Sequence, residues 1–162
     1  MTSTKRSESG LFWREGGYKM YHSISFGSYI WDISSWKNTW DDWHLVPKSR
    51  LLFVPPPVKT HYVDIPGANG ILDLTDSLTG SPVYGNREGS FEFIVVNGYG
   101  DWAERYREIL EYLHGKKHLA ILEDEPSYYY EGRFTVEDWG SEESWSTITI
   151  SYSVAPQARS VL

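Results

Sequence analysis

The chain has 162 residues and no cysteine, which excludes disulfides, thiol catalysis and cysteine-based metal sites. It is 40 % hydrophobic and 23 % charged, an ordinary balance for one folded domain, and its 16 % aromatic share favours β structure. The formal net charge is -7; residues 1–19 carry a net +2, so the acidity lies entirely in the rest of the chain, a poor surface for gripping phosphates.

Residues 1–19, rich in Ser, Thr, Gly and charge, read as a flexible N-terminal arm. They lack an apolar run long enough for a signal peptide, and no stretch approaches the 18 apolar residues of a membrane span; the expectation is synthesis in a cytoplasm and no membrane contact. Residues 21–27 alternate as a short edge strand. Trp31, Trp36, Trp40 and Trp43 follow, with Asp32, Asp41 and Asp42 between them. Buried packing is the commoner use of such rings, and a sugar-stacking platform is the competing one.

Pro55-Pro56-Pro57 stiffens the chain before a strand over 58–65, a turn at Pro66-Gly67-Ala68-Asn69-Gly70 and a returning strand over 71–75. The pattern predicts a projecting hairpin. Two strands alone are marginal in water, so Val58, Tyr62, Val63, Ile65, Ile71, Leu72 and Leu74 need cover at home or on a neighbouring chain.

Ser90–Asn97 (SFEFIVVN) reads as an interior strand covered on both faces. Residues 101–114 form the one clear helix: Asp101 is the N-cap, Trp102, Tyr106, Ile109, Leu110 and Leu113 the apolar stripe, and Gly115 the stop. Glu104, Arg105, Arg107, Glu108 and Glu111 fall on the opposite side of that helix. Strands over 118–123, 128–136 and 144–154 complete the body, and residues 157–162 read as a C-terminal tail. The fold class is therefore α+β: a mainly antiparallel β-sandwich with one α-helix and a projecting β-hairpin.

Catalytic patterns are weak. No Gly-x-Ser-x-Gly elbow occurs, and Gly98-Tyr99-Gly100 lacks the residues of a phosphate loop. His114 and His118 are separated by the helix-breaking Gly115, which argues against a shared metal. Glu123-Asp124-Glu125 could supply a glycosidase carboxylate pair, but reads better as a solvated turn before Pro126. No catalytic, metal-binding or cofactor-binding residue is assigned.

Five segments in order resemble the N-terminal domain of the distal tail protein (Dit) family of long-tailed phages. They are Lys37–Pro47 (KNTWDDWHLVP), Tyr62–Gly70 (YVDIPGANG) with Leu72–Thr75 (LDLT), Tyr84–Phe91 (YGNREGSF), Tyr112–Lys116 (YLHGK), and Glu123-Asp124 with Tyr129–Arg133 (YYEGR). The resemblance spans residues 20–156, with residues 1–19 added in front and residues 28–36 (SYIWDISSW) inserted. The chain stops where many relatives continue into a second domain, often carbohydrate-binding.

The resemblance implies a structural, non-enzymatic virion protein of the phage tail tip. It implies a homo-hexamer: a ring joining the tail tube protein to the baseplate or to a tail hub or tail-associated protein, with the tape measure protein as a further candidate partner. DNA would pass through the lumen without specific binding. On this reading Tyr62, Val63, Ile65, Leu72 and Leu74 form the subunit interface, and Asp73 and Asp76 are candidate lumen-facing acids. The alternative function is a carbohydrate-binding module using the Trp31–Trp43 cluster; a glycoside hydrolase fragment built on Glu123, Asp124 and Glu125 ranks last.

Overall fold

The computed structural model describes residues 4–6, 12–14, 21–141 and 146–162. Within the expected arm, β1 (Thr4–Arg6) pairs antiparallel with β2 (Phe12–Arg14). The rest of that arm, and Ser144 and Trp145 of the last expected strand, lie outside the described residues.

The body is one antiparallel sheet with the strand order β4-β3-β9-β10-β11-β8-β5. Its members are β3 (Ile24–Gly27), β4 (Lys37–Asn38), β5 (Leu45–Pro47), β8 (Arg87–Val95), β9 (Lys116–Leu122), β10 (Tyr128–Ser141) and β11 (Ser146–Val154). β12 (Arg159–Ser160), in the segment read as a tail, pairs with Tyr128 and Tyr129 of β10. A flat path of seven strands would hold its outer members roughly 29 Å apart. Here the two ends meet. The Thr39 N–H donates to the Ile24 carbonyl at 3.0 Å, extending the β4 edge, and the Val96 N–H donates to the His44 carbonyl at 3.1 Å, extending the β5 edge. Between them the Leu45 N–H donates to the Thr39 carbonyl at 2.7 Å. The sheet is thus rolled over its own core, which gives the mainly antiparallel sandwich expected from the sequence.

Paired residues share a sheet face, and the register puts the large apolar side chains on one of them. Ile24 and Phe26 lie beside Leu122 and Ala120; Ala120 lies beside Tyr130; Phe134, Ile150 and Ile148 continue to Phe91 and Phe93. All of these are buried. The opposite face carries Glu88, Ser90, Arg133, Thr135, Ser151 and Ser153, as alternation requires. The chain from Ser49 to Pro57 crosses the core without joining a strand, and sends Leu51 and Phe53 inward; the Phe53 ring packs 4.4 Å from Tyr130 and 4.8 Å from Tyr152.

α1 (Trp102–Leu113) begins where the sequence places it, with the Asp101 carboxylate accepting from the Ala103 N–H at 3.1 Å. Ile109 and Leu113 are fully buried, and Gly115 leaves the helix at φ 70, a conformation that costs a residue with a Cβ. Two expectations are corrected. Arg105, placed on the outer side of the helix, is buried: it donates to the carbonyls of Trp43 (3.0 Å) and Val96 (3.1 Å), two groups left over where the chain turns into and out of the sheet. β3, expected at an edge, is paired on both sides and buried throughout, because β4 covers its outer side.

Candidate assembly surface

The segment between Pro57 and Gly85 leaves the body as an arm held together by its own backbone. The Gly85 N–H donates to the Pro57 carbonyl and the Lys59 N–H to the Val83 carbonyl, each at 2.8 Å, and Val58 bridges Tyr84. Further out, β6 (Tyr62–Asp64) pairs with β7 (Ile71–Asp73), and the Leu74 N–H reaches the His61 carbonyl at 2.8 Å. Among the described residues β6 and β7 pair with each other and with no other strand.

The register divides the side chains between two faces. Val63 lies opposite Leu72 and Tyr62 opposite Asp73, with Asp64 opposite Ile71. One face therefore shows Val63 and Leu72, extended by Leu74; the other alternates Tyr62, Asp64, Ile71 and Asp73. Ile65 follows at the turn. The five side chains expected at a subunit interface are thus present on one arm, but Tyr62 points away from Val63 and Leu72. Tyr62, Ile65, Ile71 and Leu72 are exposed, Ile71 to 65 %, while Val63 and Leu74 are half-buried. A run of exposed apolar side chains of this size marks a surface meant for contact.

Asp73 is an ordered acid. Its Oδ1 accepts from the Thr75 N–H at 2.9 Å, and the side-chain and backbone bonds from Thr75 hold its carboxyl below the usual range. Asp76 lies at the following turn, where its carbonyl accepts from the Gly80 N–H at 2.8 Å.

The tryptophan cluster does not form a platform. Trp43 and Trp36 are buried, Trp36 with its Nε1–H on the Tyr29 carbonyl at 2.9 Å. Trp40 stacks on Tyr21 at 3.9 Å. Trp31 alone among them stands out, 79 % exposed, with its ring stacked at 5.8 Å on Tyr29.

Each carboxylate of the acidic run is occupied by structure. Glu123 accepts from the N–H and Oγ–H of Ser23, both at 2.8 Å, and Glu125 accepts from the Tyr130 hydroxyl at 3.2 Å. Asp124, with 6 % of its side chain exposed, meets His22 Nδ1 at 2.8 Å and Arg50 Nε at 2.7 Å. Burial pushes its pKa up, but the bonds from His22 and Arg50 outweigh this and hold it below the usual range. A glycosidase acid needs the opposite shift. The run is a latch tying residues 22–23 and Arg50 to the end of β9. Among the described residues no cluster of three or more His and carboxylate side chains is arranged to hold a metal.

The fold has a solved counterpart. The crystal structure of SPP1 Dit (gp 19.1), described as a paradigm of the hub adsorption apparatus in Gram-positive-infecting phages, aligns at a TM-score of 0.57 and 17 % sequence identity. The chain has a Dit-like fold. The alignment covers 85 % of this chain and 52 % of that one, so this chain spans about half the length of SPP1 Dit. No protein-family model and no curated protein matches the sequence. The five-segment resemblance read from the sequence and the architecture therefore point to the same fold.

Proposed function

We propose that the protein is a structural subunit of a long-tailed phage tail tip. Six copies form a ring that joins the tail tube protein to the hub or baseplate, and DNA passes through its lumen unbound. The observation that carries this reading is the arm: on a Dit-like fold, it holds exposed apolar side chains on two faces with no partner element of its own. In a ring each contact is heterologous, one patch meeting a different patch on the next copy, and a projecting arm supplies the first of those patches. Tyr62 on one face and Val63, Ile65, Leu72 and Leu74 on the other are the proposed contact residues.

The acidic body supports passage over capture, since carboxylates lining a lumen repel phosphates. Of the two acids named for that role, Asp73 shares its face with Tyr62 and turns with it toward the neighbouring copy. Asp76, at the next turn, is the proposed lumen acid. The tape measure protein is the proposed occupant of the lumen before DNA.

Light scattering on the purified protein, with negative-stain imaging for six-fold rings, tests the proposal. Deleting residues 67–76 is expected to leave a folded monomer that makes no rings. A strict monomer at high concentration, even with tail tube and hub proteins added, overturns it. The carbohydrate reading rests on the exposed Tyr29–Trp31 stack alone; glycan-dependent quenching of tryptophan fluorescence, abolished in Trp31→Ala, is its test.

A further inference from the structure

The turn of the arm carries a reactive pair as well as a bend. Asn-Gly occurs twice in the chain, at Asn69-Gly70 and at Asn97-Gly98. In such a pair the side-chain amide carbon can close a five-membered ring with the next backbone nitrogen, and glycine, having no Cβ, leaves that nitrogen unshielded. All four residues are exposed, and a Cβ built on either glycine would meet nothing within 4 Å. Residue type and exposure therefore do not separate the two sites; the way the backbone holds each of them does.

In the arm the bend is made upstream of the pair. The Ala68 N–H donates to the Ile65 carbonyl at 3.0 Å across Pro66 and Gly67, and Gly67 takes φ 83, which suits a type II turn. Asn69 and Gly70 follow that turn and precede β7; among the described residues neither takes part in a backbone–backbone hydrogen bond. Asn97-Gly98 is clamped on both sides instead. The Val96 N–H donates to the His44 carbonyl at 3.1 Å, the Val96 carbonyl accepts from Arg105 at 3.1 Å, and the Tyr99 ring stacks on His44 at 3.8 Å. Ring closure needs the asparagine backbone and side chain to rotate until the nitrogen meets the carbonyl carbon. A segment fastened at both ends resists that rotation, and one whose backbone is unpaired permits it.

We propose that Asn69 is a site of spontaneous deamidation. The Gly70 nitrogen, having lost its proton to base, bonds to the Asn69 side-chain carbonyl carbon. The bond from that carbon to the amide nitrogen breaks, and the nitrogen leaves as ammonia. Water then opens the cyclic imide at either carbonyl, giving aspartate or isoaspartate; water is the only co-reactant. Either product adds a carboxylate to an arm, residues 58–84, that already holds Asp64, Asp73 and Asp76 against Lys59. Isoaspartate also routes the main chain through the former side chain and lengthens it by one carbon. The connection between two paired strands sets their register, so this product disturbs the pairing of Val63 with Leu72 and of Tyr62 with Asp73. None of these steps requires a second copy or a tail partner.

The full-length protein is incubated over a series of mildly alkaline pH values, folded and in guanidinium chloride, and both sites are followed by peptide mass spectrometry. Labelling with an isoaspartyl methyltransferase separates the two products. In denaturant both asparagines are expected to convert at similar rates, rising with pH. In the folded protein Asn69 is expected to keep most of that rate and Asn97 to lose most of it. Asn69→Gln, whose imide would need a six-membered ring, is expected to abolish conversion at position 69 and to leave Asn97 and the thermal midpoint as they were. An Asn69 that stays intact in the folded protein while the denatured sample converts overturns the proposal. So does an Asn69 slowed by folding as much as Asn97, or one whose conversion does not quicken with pH.

Discussion

Leu72→Ser separates a side chain packed at home from one waiting for a neighbour. Burying a whole leucine side chain contributes about 1.5–3 kcal/mol. Leu72 is still 46 % exposed in the single chain, so roughly 0.7–1.4 kcal/mol is left for an adjacent copy to supply. A closed ring of six repeats that contact six times. The substitution therefore removes about 4–8 kcal/mol from the ring, or roughly 10³- to 10⁶-fold in its formation constant. In the monomer the arm packs on no other strand, and only the part of Leu72 already covered is lost, roughly 0.8–1.6 kcal/mol, a shift in Tm of about 2–6 °C. Mass photometry across a dilution series reads the first quantity and thermal unfolding below the assembly concentration reads the second. The reasoning is refuted if the monomer loses as much stability as a truncated core residue does, or if the dilution midpoint of the ring stays where it was.

Three further predictions concern the body. Arg105→Met leaves the buried carbonyls of Trp43 and Val96 without their charged donor and is expected to lower stability by about 2–4 kcal/mol in urea unfolding, with Arg105→Lys recovering only part because one ammonium replaces a two-pronged group. Gly27→Ala directs a methyl into the buried Trp36 indole, well inside van der Waals contact; a loss of about 1–3 kcal/mol is expected, and combining it with Trp36→Leu should recover part of it in the same thermal scan. Stability should also fall in two stages on acidification. Burial holds the His44 and His118 pKa values below 6.5, so the folded state binds fewer protons there, and that stability is present above pH 6.5 and lost as the pH falls through the lower folded values. Asp124 is held below 3.8, so its contribution is present above that pH and lost beneath it; Asp124→Asn should flatten the second stage of a pH series of urea midpoints and leave the first in place.

Periodicity and turn chemistry were sufficient for the local elements. The stripe from Trp102 to Leu113, the cap at Asp101, the alternating β11 and the turn that makes the arm all follow from interactions within a few residues of one another, whereas β8, read as covered on both faces, buries Phe91, Phe93 and Val95 on one face and exposes Ser90 and Glu92 on the other. The apolar character of Tyr62, Val63, Ile65, Leu72 and Leu74 was equally plain, because a two-stranded hairpin has nothing in its own span with which to cover them. Which of them share a face depended on register, which put Asp73 beside Tyr62 and away from Val63.

Long-range closure was the part that no window of sequence holds. The Thr39–Leu45 hydrogen bond joins two ends of a sheet whose intervening strands lie as far along the chain as Val154, and the roll it imposes buries β3 and leaves the Trp43 and Val96 carbonyls for Arg105 to satisfy. Arg105 looks like a solvent residue in the sequence because its partners are 62 and 9 positions away. The same distance hid the acidic run: Glu123 and Asp124 read as a turn until Ser23, His22 and Arg50 are brought to them. Helix, strand and turn are properties of neighbours in the chain and are legible there, whereas burial and pairing of polar groups arise only when distant segments are brought together.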